Sequence, residues 1–173
     1  MATTNKAAIV TGSATGIGAA TAKALARRGW HVLVNASKNR QDAEAVVAEC
    51  TALAAPHGAK VALCMASVAE DADCKRIVET ALQAFGRLDA LVNNAAATKF
   101  CALGNLEGLN AQDFLNLYAV NVVGPFQMIR AAAPALRASG AGSVVNISSN
   151  SAVTGSGSSV AYVASKGALN TMT

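Results

Sequence analysis

Short apolar runs alternate along the chain with longer, alanine-rich stretches of helix-forming residues. The apolar runs predict five strands, at 7–11, 31–35, 60–65, 88–92 and 143–147. The intervening stretches predict helices at 19–28, 42–54, 70–85 and 111–138. Continuous apolar runs of this length are typical of strands buried on both faces of a parallel sheet. The pattern therefore predicts the α/β class, a Rossmann-like, doubly wound parallel sheet in a three-layer α/β/α arrangement.

The longest predicted helix, 111–138, contains two residues that a helix interior disfavours. Pro125 follows Gly124 and is expected to kink or divide the helix, because proline lacks the backbone N–H donor. Asn121 lowers the helix propensity as well. We therefore expect Asn121 to take part in a buried polar network.

Composition indicates a single domain and excludes several classes of function. The 173 residues suit one domain spanning 1–173, and 53% of them are hydrophobic. No apolar run is long enough to span a membrane, and the polar start of the chain is unlike a secretory signal. The net charge of +4 comes from scattered Lys and Arg, and only 4% of residues are aromatic. Both observations argue against a nucleic-acid-binding surface.

The cysteines and histidines show no metal-binding pattern. His31 and His57 lie far apart, and none of the four cysteines has CxxC spacing: Cys50, Cys64, Cys74 and Cys101. We expect no metal site and free thiols in a reducing compartment, which indicates a cytoplasmic protein.

A glycine-rich turn joins the first predicted strand to the first helix. Gly12 permits a tight turn, Gly16 leaves room for a pyrophosphate, and Gly18 lets the helix pack close to the strand. The helix N-terminus would offer free N–H groups and the positive end of its dipole to the anion. A plain glycine-rich loop is the alternative, but the strand–turn–helix order favours a phosphate site.

The end of the second strand bears on the choice of cofactor. A carboxylate there would accept the adenosine ribose hydroxyls and repel a 2′-phosphate, but none is present. Ser37, Lys38 and Arg40 instead supply a hydroxyl, an ammonium and a guanidinium, which suit a phosphate. We therefore favour NADP(H) over NAD(H). The alternative is that Lys38 and Arg40 are merely solvated residues at the start of a helix.

Two further groups of polar residues follow predicted strands. Asn93 and Asn94 end the fourth strand, where open α/β sheets bind ligands, and their amides could bridge neighbouring strands. An asparagine-rich turn explains this stretch equally well. Ser149 ends the fifth strand, and Tyr162 follows it after thirteen positions.

Tyr162 and Lys166 stand four residues apart at the start of a predicted helix, so their side chains share one face. An ammonium close to a phenol stabilises the phenolate and makes the phenol a stronger acid. A Tyr–Lys pair at this spacing usually marks only an amphipathic helix surface. The other motifs of the chain favour an acid–base pair.

Together these motifs resemble the short-chain dehydrogenase/reductase family. Five features occur in its order and spacing: the turn 11–18, the strand end 93–95, Asn121, Ser149, and Tyr162 with Lys166. The resemblance covers essentially the whole chain and includes NADP(H)-dependent members such as 3-oxoacyl-thioester reductases. It implies hydride transfer between NADP(H) and a carbonyl or secondary-alcohol substrate.

The resemblance also implies roles for individual residues. Tyr162 would be the catalytic acid or base, and Lys166 would assist it and hold the nicotinamide ribose. Ser149, rather than the adjacent Ser148, would bind the substrate oxygen, and Asn121 would anchor a water of a proton relay. The implied cofactor contacts are Gly12, Thr15, Gly16, Ile17, Gly18, Ser37, Lys38, Ser67, Asn94, Tyr162 and Lys166.

The sequence departs from the family pattern at several points. Ala96 replaces a frequent glycine, and Ser67 stands near a frequent adenine-binding aspartate. Thr15 stands where NADP-dependent members often carry a basic residue. The family's C-terminal part, which holds its sixth and seventh strands, is absent, and this leaves the edge of the fifth strand unpaired. We expect the 173 residues to be part of a longer enzyme; a natural truncation is the alternative.

Two classes of function remain open. One is the NADP(H)-dependent reductase or alcohol dehydrogenase, and the other is a non-catalytic dinucleotide-binding or regulatory protein of the same fold. The filled catalytic positions favour the enzyme. The family resemblance also implies a homo-oligomer, a dimer or tetramer, formed by the long helix and the Tyr162 helix.

Overall fold

The computed structural model describes residues 5–173, and its centre is a parallel sheet of five strands in the order β3-β2-β1-β4-β5. The strands are β1 (Ala7–Val10), β2 (His31–Ala36), β3 (Val61–Met65), β4 (Ala90–Asn93) and β5 (Ser143–Asn146). The register pairs Ile9 of β1 with Leu33 on one side and Leu91 on the other. The chain winds outward from β1 in both directions, as the alternating pattern predicted.

Helices connect the strands and cover the sheet. They are α1 (Gly16–Arg27), α2 (Arg40–Ala54), α3 (Asp71–Phe85), α4 (Ala111–Tyr118), α5 (Gly124–Ala138), α6 (Ser151–Thr154) and α7 (Val160–Met172). Short 3₁₀ turns lie at Ala55–His57 and Leu106–Gly108. A π-helical turn, Ala119–Val123, joins α4 to α5.

Two apolar cores lie on opposite faces of the sheet. One packs the strands β1 to β4 against α3 and α5, and its buried centre includes Ile9, Leu33, Ile77, Leu91 and Met128. The other packs the same sheet against α1 and α2 through small residues of the helices, such as Ala22 and Cys50. Small side chains let these helices approach the sheet closely. The predicted three-layer α/β/α arrangement is therefore confirmed.

The structure corrects some predicted boundaries. Helix α1 begins at Gly16, so the last glycines of the turn are already helical. The predicted helix 111–138 is divided as expected, but by the π-helical turn, with Pro125 in the first turn of α5. The stretch between Ser149 and Tyr162, for which the sequence predicted no helix, contains the short helix α6.

Within residues 5–173, β5 pairs only with β4, so its other edge is open, as expected. Val144 and Val145 of β5 are exposed. No helix in the described part of the chain is both long and apolar enough to cross a membrane.

Candidate active site

The glycine turn lies where the strand order reverses, between the C-terminal ends of β1 and β4. Gly12 has φ of 61°, and a Cβ there would lie 2.7 Å from the Cα of Ala95. A Cβ on Gly18 would lie 2.4 Å from the Asn94 amide nitrogen and 2.6 Å from the Gly12 oxygen. Only glycine therefore permits this approach of turn, helix and strand. Ligands of open α/β sheets bind at this position.

The N-terminus of α1 has the features of an anion-binding site. Thr15 is its N-cap residue, but its side chain accepts no hydrogen bond from the first turn. No atom lies within 4 Å of a Cβ built on Gly16, and Ile17 is exposed. Free N–H groups, the helix dipole and open space together suit a diphosphate.

A cleft of about 300 Å³ opens beside this turn. Its walls come from the ends of β1, β2, β3 and β4, and include Gly12, Thr15, Asn35, Ser37, Ser67 and Asn94. Five of the predicted cofactor residues thus line one cleft, and Asn35 is an addition to them. The position and lining fit a dinucleotide.

Asn94 is a bridge between β4 and the glycine turn. Its side-chain nitrogen donates to the backbone oxygens of Thr11 and Gly12, both at 2.9 Å. The Thr11 hydroxyl in turn accepts from the backbone N–H groups of Asn94 and Ala95. The hypothesis that these amides bridge neighbouring strands is confirmed.

Asn35 is the main site residue that sequence reasoning missed. It is buried at the end of β2, and its oxygen accepts the Gly12 N–H at 3.2 Å. Its nitrogen donates to the Cys64 oxygen at 3.1 Å and the Ala66 oxygen at 3.0 Å. The local signal for such a role is a polar residue at the end of an otherwise apolar strand.

Ser37 and Lys38 are exposed just beyond the end of β2. Arg40 forms an exposed ion pair with Glu44 at 3.2 Å, whereas no ion pair within residues 5–173 involves Lys38. The adjacent Asn39 caps α2 by accepting the Asp42 N–H. Lys38 does not line the cleft itself, but it directly follows Ser37 of the cleft wall and pairs with no acidic side chain of the described residues.

Ser67 lies on the β3 side of the cleft. Its backbone N–H donates to an Asp73 oxygen at 2.7 Å, and its hydroxyl accepts from Ala69 at 3.3 Å. The Ser67 backbone N–H lowers the pKa of the Asp73 carboxyl, and Arg76 lowers it further. These bonds fix the turn between β3 and α3.

Lys166 is buried on α7, with 2% of its surface exposed. Its ammonium donates to the backbone oxygen of Ile147, just after β5, at 2.8 Å. Burial lowers the pKa of Lys166 below its ordinary value of 10.5. No other hydrogen bond of this ammonium is present in residues 5–173, so two donors are left for a ligand or a neighbouring phenol.

Tyr162 lies one turn before Lys166, and the Lys166 nitrogen is 5.9 Å from the centre of its ring. The N-cap residue Ser159 accepts the Tyr162 backbone N–H at 3.3 Å and so fixes the start of α7. Ser149 lies at the end of β5, and its hydroxyl accepts from the Ser151 hydroxyl at 2.7 Å. The predicted acid–base pair thus shares one helical face at the C-terminal edge of the sheet.

Asn121 is buried in the π-helical turn, as the sequence suggested for a polar network. Its nitrogen donates to the Ala97 oxygen and the Ser165 hydroxyl, both at 2.9 Å, and its oxygen accepts the Ala97 N–H at 2.8 Å. Its side chain therefore ties the segment after β4 to the helix that carries Lys166. The amide oxygen accepts one bond and has a second lone pair, which leaves it an acceptor for the water expected from the sequence.

The fold is a Rossmann-like α/β sheet, with the glycine turn and the Tyr162–Lys166 pair at the C-terminal ends of its strands. The sequence profile described as short chain dehydrogenase matches residues 6–173. The chain therefore belongs to the short-chain dehydrogenase/reductase family.

Individual relatives agree with this. Ketoacyl reductase 2 of the granaticin polyketide synthase of Streptomyces violaceoruber is 41% identical over 92% of this chain and 61% of its own length. The 3-oxoacyl-[acyl-carrier-protein] reductase FabG of Staphylococcus aureus is 34% identical over 93% of this chain and 63% of its own. The chain thus spans just over 60% of the length of these relatives.

Solved structures share the fold. A short-chain dehydrogenase/reductase of Burkholderia xenovorans is 40% identical with a TM-score of 0.93, over 99% of this chain and 70% of its own. A xylitol dehydrogenase with bound NAD+ is 28% identical with a TM-score of 0.88, over 99% of this chain and 64% of its own.

Proposed function

We propose that this chain carries the cofactor-binding and catalytic residues of an oxidoreductase that transfers hydride between NADP(H) and a carbonyl or secondary alcohol. The Lys166 ammonium is the observation that carries the proposal. It is buried without a carboxylate partner in the described residues, bonded to the end of β5, and placed beside the Tyr162 ring. A buried cation is costly, so its position indicates a task.

Each residue has a defined part in the reaction. A nicotinamide cofactor, when bound, would supply the hydride chemistry. Tyr162 donates its hydroxyl proton to the carbonyl oxygen, which completes the alcohol, and takes that proton back during oxidation. Lys166 stabilises the resulting phenolate electrostatically and offers its remaining N–H donors to ribose hydroxyls. Ser149 holds the substrate oxygen by a hydrogen bond.

Asn121 supports proton return to Tyr162 by fixing the π-helical turn. Its nitrogen makes two bonds within the chain and its oxygen accepts one, so the remaining lone pair of the oxygen is the acceptor we assign to the relay water. Asn121 thereby also holds Ser165, and with it the position of Lys166.

The residues beyond β2 favour NADP(H) over NAD(H). Ser37 lines the cleft, the exposed Lys38 follows it in the chain, and Ala36 leaves no carboxylate to repel a 2′-phosphate. NAD+ is bound in the xylitol dehydrogenase structure, so the competing cofactor occurs on the same fold. Fluorescence titration with NADPH and NADH compares the two directly, and equal affinities would contradict the choice.

A carbonyl-substrate screen that follows NADPH absorbance tests the proposed activity. Ketoacyl thioesters belong in the panel, because two relatives are named for ketoacyl or oxoacyl substrates. We expect turnover of at least one carbonyl compound. Tight NADPH binding without turnover of any compound would favour the non-catalytic dinucleotide-binding protein instead.

We further propose a homo-oligomer in the cytoplasm. Leu115, Val123 and Phe126 are exposed along the α4–α5 stretch, where they could meet a second copy. The described cysteines are all free thiols, which suits a reducing compartment. Sedimentation analysis, expected to show a dimer or tetramer, tests the assembly.

A further inference from the structure

Two asparagines hold the backbone of Gly12 from opposite sides. Asn94 of the β4 end donates to the Gly12 oxygen at 2.9 Å, and Asn35 of β2 accepts the Gly12 N–H at 3.2 Å. The backbone N–H and the backbone oxygen of Gly12 are therefore both hydrogen-bonded before any ligand binds. Fixing a binding loop in advance lowers the entropic cost of binding.

Asn35 reaches further than Asn94, because it also joins the turn to the opposite wall of the cleft. Its nitrogen donates to the backbone oxygens of Cys64 and Ala66, at the end of β3 and directly before Ser67. Its backbone exchanges two more hydrogen bonds with Ser13, at 2.8 Å and 3.0 Å. One residue thus connects the ends of β1, β2 and β3.

The chemistry of the Asn35 side chain is specific. It is 2% exposed, and it uses one acceptor and both donors of a single planar amide. A carboxylate of equal size would face two carbonyl oxygens with no proton to donate. An apolar residue would leave the Gly12 N–H and two carbonyls without these bonds in a buried place.

We propose that Asn35 is a positioning residue for the cofactor. It turns the Gly12 N–H inward, so the diphosphate must be bound by later N–H groups of the turn and of α1. It also sets the distance between that turn and the cleft wall at Ala66 and Ser67. The inference rests on the proposed dinucleotide site and adds to it a residue that contacts the protein rather than the cofactor.

The experiment compares NADPH affinity with turnover in Asn35→Ala and Asn35→Asp. We expect the NADPH dissociation constant to rise roughly tenfold, as for a lost positioning hydrogen bond, while kcat at saturating NADPH stays within about twofold. Asn35→Asp removes both side-chain donors at nearly the same volume, and Asn35→Ser, which keeps a hydroxyl in place of the amide, serves where these two variants are too unstable to purify. Ile77→Val, in the core far from the turn, is the control for lost stability alone.

Hydrogen exchange of the Gly12 amide gives a readout without ligand. It should be protected in the wild-type protein and exchange at least about tenfold faster in Asn35→Ala. Unchanged NADPH affinity in both variants, or an equal loss of affinity in Ile77→Val, would overturn the positioning role alone. A wild-type protein that binds neither NADPH nor NADH would overturn the proposed function, and the positioning role with it.

Discussion

Lys166 shows how a single residue can serve function at the expense of stability. Its ammonium is buried, keeps one hydrogen bond to Ile147 and has no carboxylate partner within residues 5–173. Desolvation of an unpaired charge costs free energy that one carbonyl recovers only in part. Sequence alone placed Lys166 beside Tyr162 by helical spacing, but its burial and its bond to the end of β5 depend on tertiary packing.

Replacing Lys166 with methionine should abolish turnover without destabilising the fold. We expect the free energy of unfolding of Lys166→Met at pH 7 to equal that of the wild-type protein or exceed it by about 1 kcal/mol. Urea unfolding measures this, and Lys60→Met, at an exposed position, should leave it unchanged. A clear loss of stability in Lys166→Met would contradict the claim that burial of the Lys166 charge destabilises the folded protein.

The same residue predicts a pH dependence. Because burial lowers the pKa of folded Lys166, the free-energy penalty of its charge is fully present below the folded pKa and is relieved as pH rises from the folded pKa toward 10.5. Any excess in the free energy of unfolding of Lys166→Met over the wild-type protein should therefore shrink with rising pH. An advantage that grows between pH 8 and about 10 would contradict the direction of this shift.

At the scale of elements, periodicity and glycine placement predicted the five strands to within a few residues. They did not predict the π-helical turn or the bonds of Asn35, because these depend on partners brought together by the fold. Asn121 bonds to Ala97 and Ser165, and Asn35 to Cys64 and Ala66, all more than twenty residues away. No local pattern encodes such pairs.

Two helical glycines provide a matched test of the close packing of α1. We expect Gly18→Ala to destabilise the protein by about 2 kcal/mol or more and to weaken NADPH binding, since its Cβ would overlap Asn94 and Gly12. Gly167→Ala in α7 meets no atom within 4 Å and should stabilise the protein by about 0.5 kcal/mol. Thermal unfolding of both variants checks the contrast, and equal effects would refute it.

At the scale of the whole molecule, different interactions stabilise the two ends of the parallel strands. Asn35, Asn94 and the cleft lie at the C-terminal ends of the strands. At the N-terminal ends, the buried Asp89 directly precedes β4 and bonds to β1. Asp89 accepts from the Ala7 N–H at 2.8 Å and forms an ion pair with Arg87 at 2.5 Å. Sequence motifs predicted the site at the C-terminal ends of the strands. No local motif predicted the interactions of Asp89 at the N-terminal ends.

Asp89 predicts how the molecule responds to acid. Burial raises the pKa of Asp89, but the bonds from Arg87 and Ala7 outweigh it and hold the pKa below the ordinary 3.8. Its stabilisation is therefore present above about pH 4 and lost as pH falls through the folded pKa. Asp89→Asn should cost about 2 kcal/mol at pH 7 and much less below pH 4, measured by urea unfolding. The exposed Glu79→Gln is the control; a cost independent of pH would contradict this role.

The most direct test of the proposed chemistry compares Tyr162→Phe with the wild-type protein at saturating NADPH and a carbonyl substrate found in the screen. Removing the hydroxyl deletes the proton donor but leaves the ring beside Lys166. We expect kcat to fall by about a hundredfold or more while the NADPH dissociation constant changes less than about threefold. Turnover by Tyr162→Phe at the wild-type rate would contradict Tyr162 as the acid.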